Sequence, residues 1–356
     1  MKRNDLKILL VSPLPPPAGG IASWTQQYLD WSKKNNLNVE IVNTAVIGKR
    51  AEKINQKTKI IDEIKRTKDI IKDLKTKTNK FKPQIIHLNT PCGKLGIIRD
   101  FLCAKIAKKN GVKLIVHYRC NIKDQVDSSV VARFCLRRLS NLADLNLVLN
   151  SSSNKYLTKE TQNSSILIAN FINEDFLLDE HKKIRSDIKI ISFVGHVQRT
   201  KGILEIIDVA KQLPEITFKV AGPVSGNINN IDKPNNLIFL GPLSKQEVKK
   251  LLLESDVFLF PSYTEGFANA LLEAMAMGLP IITTPVGANV DMIESMGGLI
   301  VEVGNSNSIM DAINNIRSSI DRSRMSVWNL NKVMNEYTIE KVMDKLIFIY
   351  LDIISK

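Results

Sequence analysis

The 356-residue chain is 44% hydrophobic and 24% charged, longer than one hydrophobic core usually serves, so two domains of roughly 170 residues each are expected. It holds no apolar run near the ~18 residues that span a bilayer, no signal-peptide core after Met1, and four cysteines (Cys92, Cys103, Cys120, Cys135) without C-x-x-C spacing. These features exclude an integral membrane protein or a disulfide-built one and predict a cytoplasmic location.

In chain order, Leu6–Val11 reads as an apolar first strand, Ser12–Gly20 as a Pro/Gly loop, and Ile21 onward as a helix. A strand, a glycine loop and a helix N-terminus can hold an anion, so Gly19 and Gly20 are either a site or a plain turn. The absence of G-x-G-x-x-G here counts against a dinucleotide cofactor. Further strands are expected at 39–43, 84–88, 113–117 and 145–149, with helices between them, the pattern of a parallel α/β sheet.

The net charge of +14 lies in the first half: residues 1–180 hold 31 Lys/Arg against 17 Asp/Glu, and residues 181–356 hold 19 of each. The excess is densest from Lys49 to Lys82, where Ile54, Ile60, Ile61, Ile64, Ile71 and Leu74 recur at mainly helical spacings. Such a segment is either a membrane-surface helix or a solvated lysine-rich helix packing its isoleucine face on the domain. Nucleic acid is disfavoured, because no aromatic residues interleave a basic stretch. His117 closes the strand Leu114–His117; a lone histidine is usually structural, but a strand end is where parallel sheets bind ligands. Arg119 is placed either to meet an anionic group or to pair on the surface. His87, followed by Asn89 and Thr90, is a weaker candidate.

Residues 173–187 are polar and charged, as a linker would be. The second half opens with the strand Lys189–Val194, then His196-Val-Gln-Arg199-Thr-Lys201-Gly202 and a helix. Lys201 beside a helix N-terminus could hold an anion. Phe218–Ala221 and Leu237–Leu240 read as strands with glycine-bearing ends, and Ser244 with Glu247 marks a capped helix to Glu254. Asp256–Phe260 reads as a buried strand, Phe267–Met277 as a helix with Gly278 at its C-cap, and Pro280–Thr284 as the next strand. Thr338–Ile354 is an apolar helix.

Glu265 and Glu273 lie across this loop and helix, eight residues apart. If both were helical they would be separated by about 12 Å of rise and roughly 80°, whereas carboxylates acting on one glycosidic bond stand within about 5–9.5 Å. Holding two ends of one hydroxyl-rich ligand suits them better than hydrolysis. The plainer reading is a helix-start Glu favoured by the dipole and a second Glu on a solvated face.

In context, Pro261-Ser262, Glu265-Gly266-Phe267, Leu272-Glu273-Ala274-Met275-Ala276 and Gly278-Leu279-Pro280 resemble the signature of the retaining glycosyltransferases of family 4. The resemblance implies α/β architecture of the GT-B type: two Rossmann-like parallel-sheet domains with the active site in the cleft between them. Its implied organisation is an acceptor-binding domain at 1–172, a linker at 173–187, a nucleotide-sugar domain at 188–337, and a helix at 338–356 packing back on the first domain. By this likeness Glu265, His117 and Lys201 are catalytic. Gly19, Gly20, Arg199, Lys201, Gly266, Phe267 and Glu273 bind the donor, with Glu273 on the ribose, and Arg119 meets the acceptor. Many relatives carry Arg where this chain has His196, so Arg199 stands as a substitute for that phosphate ligand.

The implied activity moves a sugar, from a UDP-sugar by preference, to a lipid-linked glycan in capsule, O-antigen or exopolysaccharide assembly. No cofactor beyond the donor and no metal is expected, there being no DxD pair. The expected location is cytoplasmic, peripheral at the inner membrane face through the basic first half. A GT-B nucleotide-sugar epimerase, a pyridoxal-phosphate glycan phosphorylase and a non-catalytic membrane-associated nucleotide-sugar-binding protein are the alternatives. The epimerase would need its own acid and base, nothing marks a pyridoxal-phosphate lysine, and mere binding leaves Glu265, Glu273 and Lys201 together unexplained.

Overall fold

The computed structural model describes residues 5–16, 19–45, 60–178, 182–226, 228 and 231–356. They form two compact units, Met1–Asn170 with Glu340–Lys356, and Phe171–Ile339.

The first unit alternates β1 (Lys7–Ser12), α1 (Gly20–Lys34), β2 (Asn38–Asn43), α2 (Ile60–Phe81), β3 (Ile85–Thr90), α3 (Lys94–Lys109), β4 (Lys113–Tyr118), α4 (Ile122–Val126), α5 (Val130–Leu142), β5 (Leu145–Val148), α6 (Ser151–Thr161) and β6 (Ser165–Leu167). Its sheet is parallel throughout, in the order β2-β1-β3-β4-β5-β6. Helices on both faces explain why the central strands read as unbroken apolar runs: Ile8 to Val11 and Leu114 to Val116 are fully buried. Side chains alternate across the sheet. Leu9, Val11, Ile86, Leu88, Leu114 and Val116 therefore share one core with residues of α2, α3, α5 and α6.

Of the basic stretch, residues 49–59, with Ile54, lie outside the described residues. The remainder is α2, which buries Ile70 and Leu74 in that core and leaves Lys65, Lys68, Lys72 and Lys75 exposed.

The second unit holds β7 (Ile190–Val194), α7 (Ile203–Gln212), β8 (Thr217–Ala221), β9 (Leu237–Gly241), α8 (Lys245–Glu254), β10 (Val257–Phe260), α9 (Asn269–Ala276), β11 (Ile281–Thr283), α10 (Asn289–Ile293), β12 (Gly298–Ile300), α11 (Ser306–Asn315) and α12 (Ser319–Lys332). The last helix, α13 (Ile339–Ser355), then joins the first unit. The second sheet is also parallel, in the order β12-β11-β10-β7-β8-β9. The chain runs outward from β7 to β9 and then returns to the other side of β7 with β10. The carboxyl ends of β7 and β10 thus mark a topological switch point, where open parallel sheets place ligands. The fold is α/β, built on two parallel six-stranded sheets.

Candidate active site

Two loops leave that switch point. After β7 the chain passes through Gly195 and His196 into a 3₁₀ turn, Arg199–Lys201, and Gly202 opens α7 in the left-handed conformation (φ 77°). After β10 it runs from Pro261 to Ala268. The loops are tied by a hydrogen bond from the Tyr263 N–H to the Thr200 carbonyl, 3.0 Å. They approach so closely that a Cβ on Gly202 would stand 2.2 Å from the Pro261 oxygen, so only glycine fits. On the other side, Thr284 Oγ1 donates to the Ser262 carbonyl at 2.5 Å. The Ala288 N–H donates to the Gly266 carbonyl at 3.1 Å. A Cβ on Gly287 would lie 2.3 Å from the Glu265 oxygen. Main chain therefore holds residues 261–266 from both flanks.

In this frame Lys201 Nζ donates to Glu265 Oε1 at 2.5 Å, with both side chains largely buried. Tyr263 OH donates to Glu205 Oε1 at 2.5 Å, bracing the same loop on α7. Glu205 Oε2 and Ser262 Oγ are buried without a partner among the described residues. α9 begins at Asn269 rather than at Phe267, so Glu265, Gly266 and Phe267 all belong to the loop. Phe267 is buried edge-on against Tyr337, at a centroid distance of 6.0 Å.

Glu273 lies on α9, half-buried rather than on a solvated face. Burial pushes its carboxyl up to about 7, against the opposing pull of Lys245. Arg199 and His196 are both exposed. His196 lines an apolar pocket of about 220 Å³ with Val194, Ala221, Pro223, Leu243 and Val248. The pocket lies at the carboxyl ends of β7, β8 and β9.

The first unit gathers a second group. His117 and Arg119 extend from β4, and His87 lies beside them on β3. Arg119 is not at the surface: it is buried, with its guanidinium 4.2 Å above the Trp24 ring and Nη2 donating to Asn170 Oδ1 at 2.6 Å. It has no carboxylate partner among the described residues, its Nε is unpaired, and burial lowers it to about 9.

His117 is fully buried and stacked on His87, with centroids 5.4 Å apart. Burial first, then Arg119 and His87, hold it well below its usual value; burial and Arg119 hold His87 at about 3. Both imidazoles are therefore neutral near pH 7. His117 Nδ1 and His87 Nε2 share a hydrogen bond at 3.3 Å, and Arg119 Nη1, a donor, stands 3.3 Å from His117 Nε2 and 3.4 Å from its Nδ1. His87 Nδ1 is hydrogen-bonded to Tyr350 OH at 2.6 Å, and the Tyr350 and Tyr28 hydroxyls to one another at 3.2 Å. Both ring nitrogens of His117 are thus engaged inside the unit. Gly19 and Gly20 are exposed at the uncapped start of α1, which has no acidic residue in its first turn.

Residues 175–336 match the family model described as glycosyl transferases group 1. The chain therefore carries a group 1 glycosyltransferase domain, and its architecture is that of the GT-B glycosyltransferases. It is 25% identical over 358 residues to the capsular polysaccharide biosynthesis glycosyltransferase CapM of Staphylococcus aureus, covering 90% of this chain and 92% of that protein. It is 26% identical over 199 residues to the UDP-Gal:alpha-D-GlcNAc-diphosphoundecaprenol alpha-1,3-galactosyltransferase of Escherichia coli, covering 51% of this chain and 50% of that one. Among solved structures, the sucrose-phosphate synthase of Thermosynechococcus elongatus superposes with a TM-score of 0.78 at 15% identity, over 98% of this chain and 99% of that one. The last likeness carries the fold alone.

Proposed function

We propose that this glycosyltransferase is retaining and metal-independent, and moves a sugar from a nucleotide donor, UDP-linked by preference, to a lipid-linked glycan in cell-surface polysaccharide assembly. The observation that carries the reading is the Lys201–Glu265 pair, held by main chain at the switch point of the second sheet. Retention by front-face attack needs no protein nucleophile. The acceptor hydroxyl forms its bond to the anomeric carbon on the face from which the diphosphate leaves, and the departing phosphate oxygen takes the hydroxyl proton. The products are the glycoside, the nucleoside diphosphate and one proton.

On this reading Lys201 moves from Glu265 to the departing diphosphate, with exposed Arg199 and main-chain N–H groups beside it. Glu265, relieved of its cation, positions the sugar hydroxyls. Glu273 holds the ribose, and the 220 Å³ apolar pocket takes the base. In the first unit, buried Arg119 without a carboxylate suits an anionic acceptor, and the exposed, uncapped start of α1 at Gly19 and Gly20 suits a phosphate. His117, neutral and with both ring nitrogens engaged, serves by shaping the end of β4. The UDP-Gal donor and diphosphoundecaprenol acceptor in the name of the Escherichia coli relative support this choice of substrates, and the Staphylococcus aureus relative supports the polysaccharide role.

The test is a panel of UDP-, GDP-, ADP- and dTDP-sugars, with and without a chelator, followed by product analysis of the anomeric configuration. Transfer with retention in chelator, and loss of donor binding in Glu273→Ala, are expected. An inverted product, a chelator-sensitive rate or an epimerised donor would each overturn it, as would a folded wild-type protein that binds no donor.

A further inference from the structure

Tyr263 grips the turn that carries Lys201 on both sides of the lysine. Its N–H donates to the carbonyl of Thr200, the residue before, at 3.0 Å. Its hydroxyl donates to Oε1 of Glu205, in the first turn of α7 after it, at 2.5 Å. Further along the same loop, Glu265 takes the lysine itself. Two bonds from one residue therefore bracket the cation whose partner the same loop supplies.

The two bonds constrain the joint differently. Main-chain contacts fix it along one line, Thr200 against Tyr263 and Gly202 against Pro261. Segments held only along a line can still swing about it. The hydroxyl bond acts at the far end of the tyrosine ring, away from that line, so it stops the swing and fixes how far Lys201 stands from Glu265.

Stability does not explain this bond. Glu205 is 8% exposed, and its Oε2 has no partner among the described residues. A carboxyl buried so deeply and met at one oxygen only costs stability where an apolar side chain would add it. Nor is the ring there to fill a core, since Tyr263 is 43% exposed. The backbone makes room for its hydroxyl: a Cβ on Gly304 would stand 2.8 Å from that oxygen. What the pair supplies is direction, a short bond between two side chains on two loops that leave neighbouring strands.

We infer that Tyr263 and Glu205 are positioning residues for the transfer step, their hydrogen bond fixing the Lys201 turn against the loop of Glu265 so that the lysine stands where the leaving group's charge develops. The inference rests on the proposed role of Lys201 and adds two residues that act through it.

The experiment is a double-mutant cycle on the full chain, read as kcat and KM with the donor that the panel identifies and as UDP affinity by calorimetry, with a melting temperature for each variant. Tyr263→Phe, which removes the hydroxyl and keeps the ring, is expected to lower kcat about tenfold or more and to move the donor KM less than about threefold. Glu205→Ala should do the same. Glu205→Gln keeps the acceptor and loses no bond at the unpartnered Oε2, so it should stay within about twofold of wild type. In a Lys201→Met background, Tyr263→Phe should lower kcat by less than about a further twofold, because the residue it positions is gone.

Wild-type kcat in Tyr263→Phe would overturn the inference and leave the ring as the useful part of Tyr263. Losses that multiply in the double variant would do so as well, since they would mark a general structural defect. So would Glu205→Gln as poor as Glu205→Ala. If Tyr263→Phe does not fold, Glu205→Ala in the same two backgrounds decides the question. Lys201→Met with wild-type kcat and UDP affinity would overturn the proposed role of the lysine, and this inference with it. Loss of both in Lys201→Met beside an unaffected Tyr263→Phe would overturn the positioning pair alone.

Discussion

Lys201 Nζ lies 2.5 Å from Glu265 Oε1, across a gap of 64 residues in sequence. The cation and the carboxylate thus satisfy one another in the site, on loops that leave adjacent strands. On the proposed reading, a ligand bringing its own negative charge takes Lys201 over and frees Glu265 for hydroxyl groups. The two residues form one unit whose contributions should not add. Lys201→Met should weaken nucleoside diphosphate inhibition by roughly 10- to 100-fold, the scale of a lost charge-assisted hydrogen bond. Glu265→Gln should lower kcat with less effect on that inhibition. A double variant whose loss equals the product of the single losses would show that the two act independently.

Glu273 supplies a proton signal. Burial raises its carboxyl to about 7, so near neutral pH it is partly protonated in the unliganded protein. If Glu273 holds the ribose as proposed, the hydroxyls donating to it favour the carboxylate, so donor binding should release a fraction of a proton at pH 7 and tighten as pH rises from 6 to 8. Calorimetry in buffers of different ionisation enthalpy reads this directly. Glu273→Gln should abolish the buffer dependence; proton uptake by wild type would mean that the acid form is the one that binds.

The frame was legible in sequence because strands buried on both faces keep continuous apolar runs, as Leu6–Val11 does, and because local caps announce helices, as Ser244 and Glu247 do for α8. The tertiary parts of the site were not. Arg119 reads as a surface residue because guanidinium groups are seldom buried, and only the Trp24 face and Asn170 show why it is held inside. Tyr350 reaches His87 over 263 residues, a pairing that no local pattern encodes. The start of α9 was misplaced by two residues because Phe267 has an apolar partner in Tyr337 that serves a loop as well as a helix.

The paired histidines set an acid limit on the first unit. Both imidazoles are neutral when folded, with His87 held at about 3 and His117 well below its usual value, but each takes a proton near 6.5 when unfolded. Below about 6.5 the unfolded chain therefore binds more protons, and stability falls with pH by about 1.4 kcal/mol per unit for each histidine. Chemical denaturation between pH 7 and 5 should show this slope. His87→Gln should remove about half of it, whatever it does to stability at pH 7. A slope unchanged by that substitution would assign the acid sensitivity to other groups.

Gly287 tests whether main-chain packing positions the site. Its φ is 56° and an added Cβ would lie 2.3 Å from the Glu265 oxygen and 2.8 Å from that of Gly266. Gly287→Ala must therefore either strain the turn or push the 261–266 loop away, at a cost of roughly 1–3 kcal/mol. Gly241 provides the control: its φ is 71°, but nothing lies within 4 Å of its would-be Cβ. Both alanine variants carry the left-handed backbone penalty, and only the first meets the Glu265 carbonyl. If the loop is set by this contact, Gly287→Ala should lose donor affinity and kcat well beyond Gly241→Ala at matched loss of melting temperature. Equal losses of activity in the two variants would leave backbone strain, and not the approach to Glu265, as the common cause.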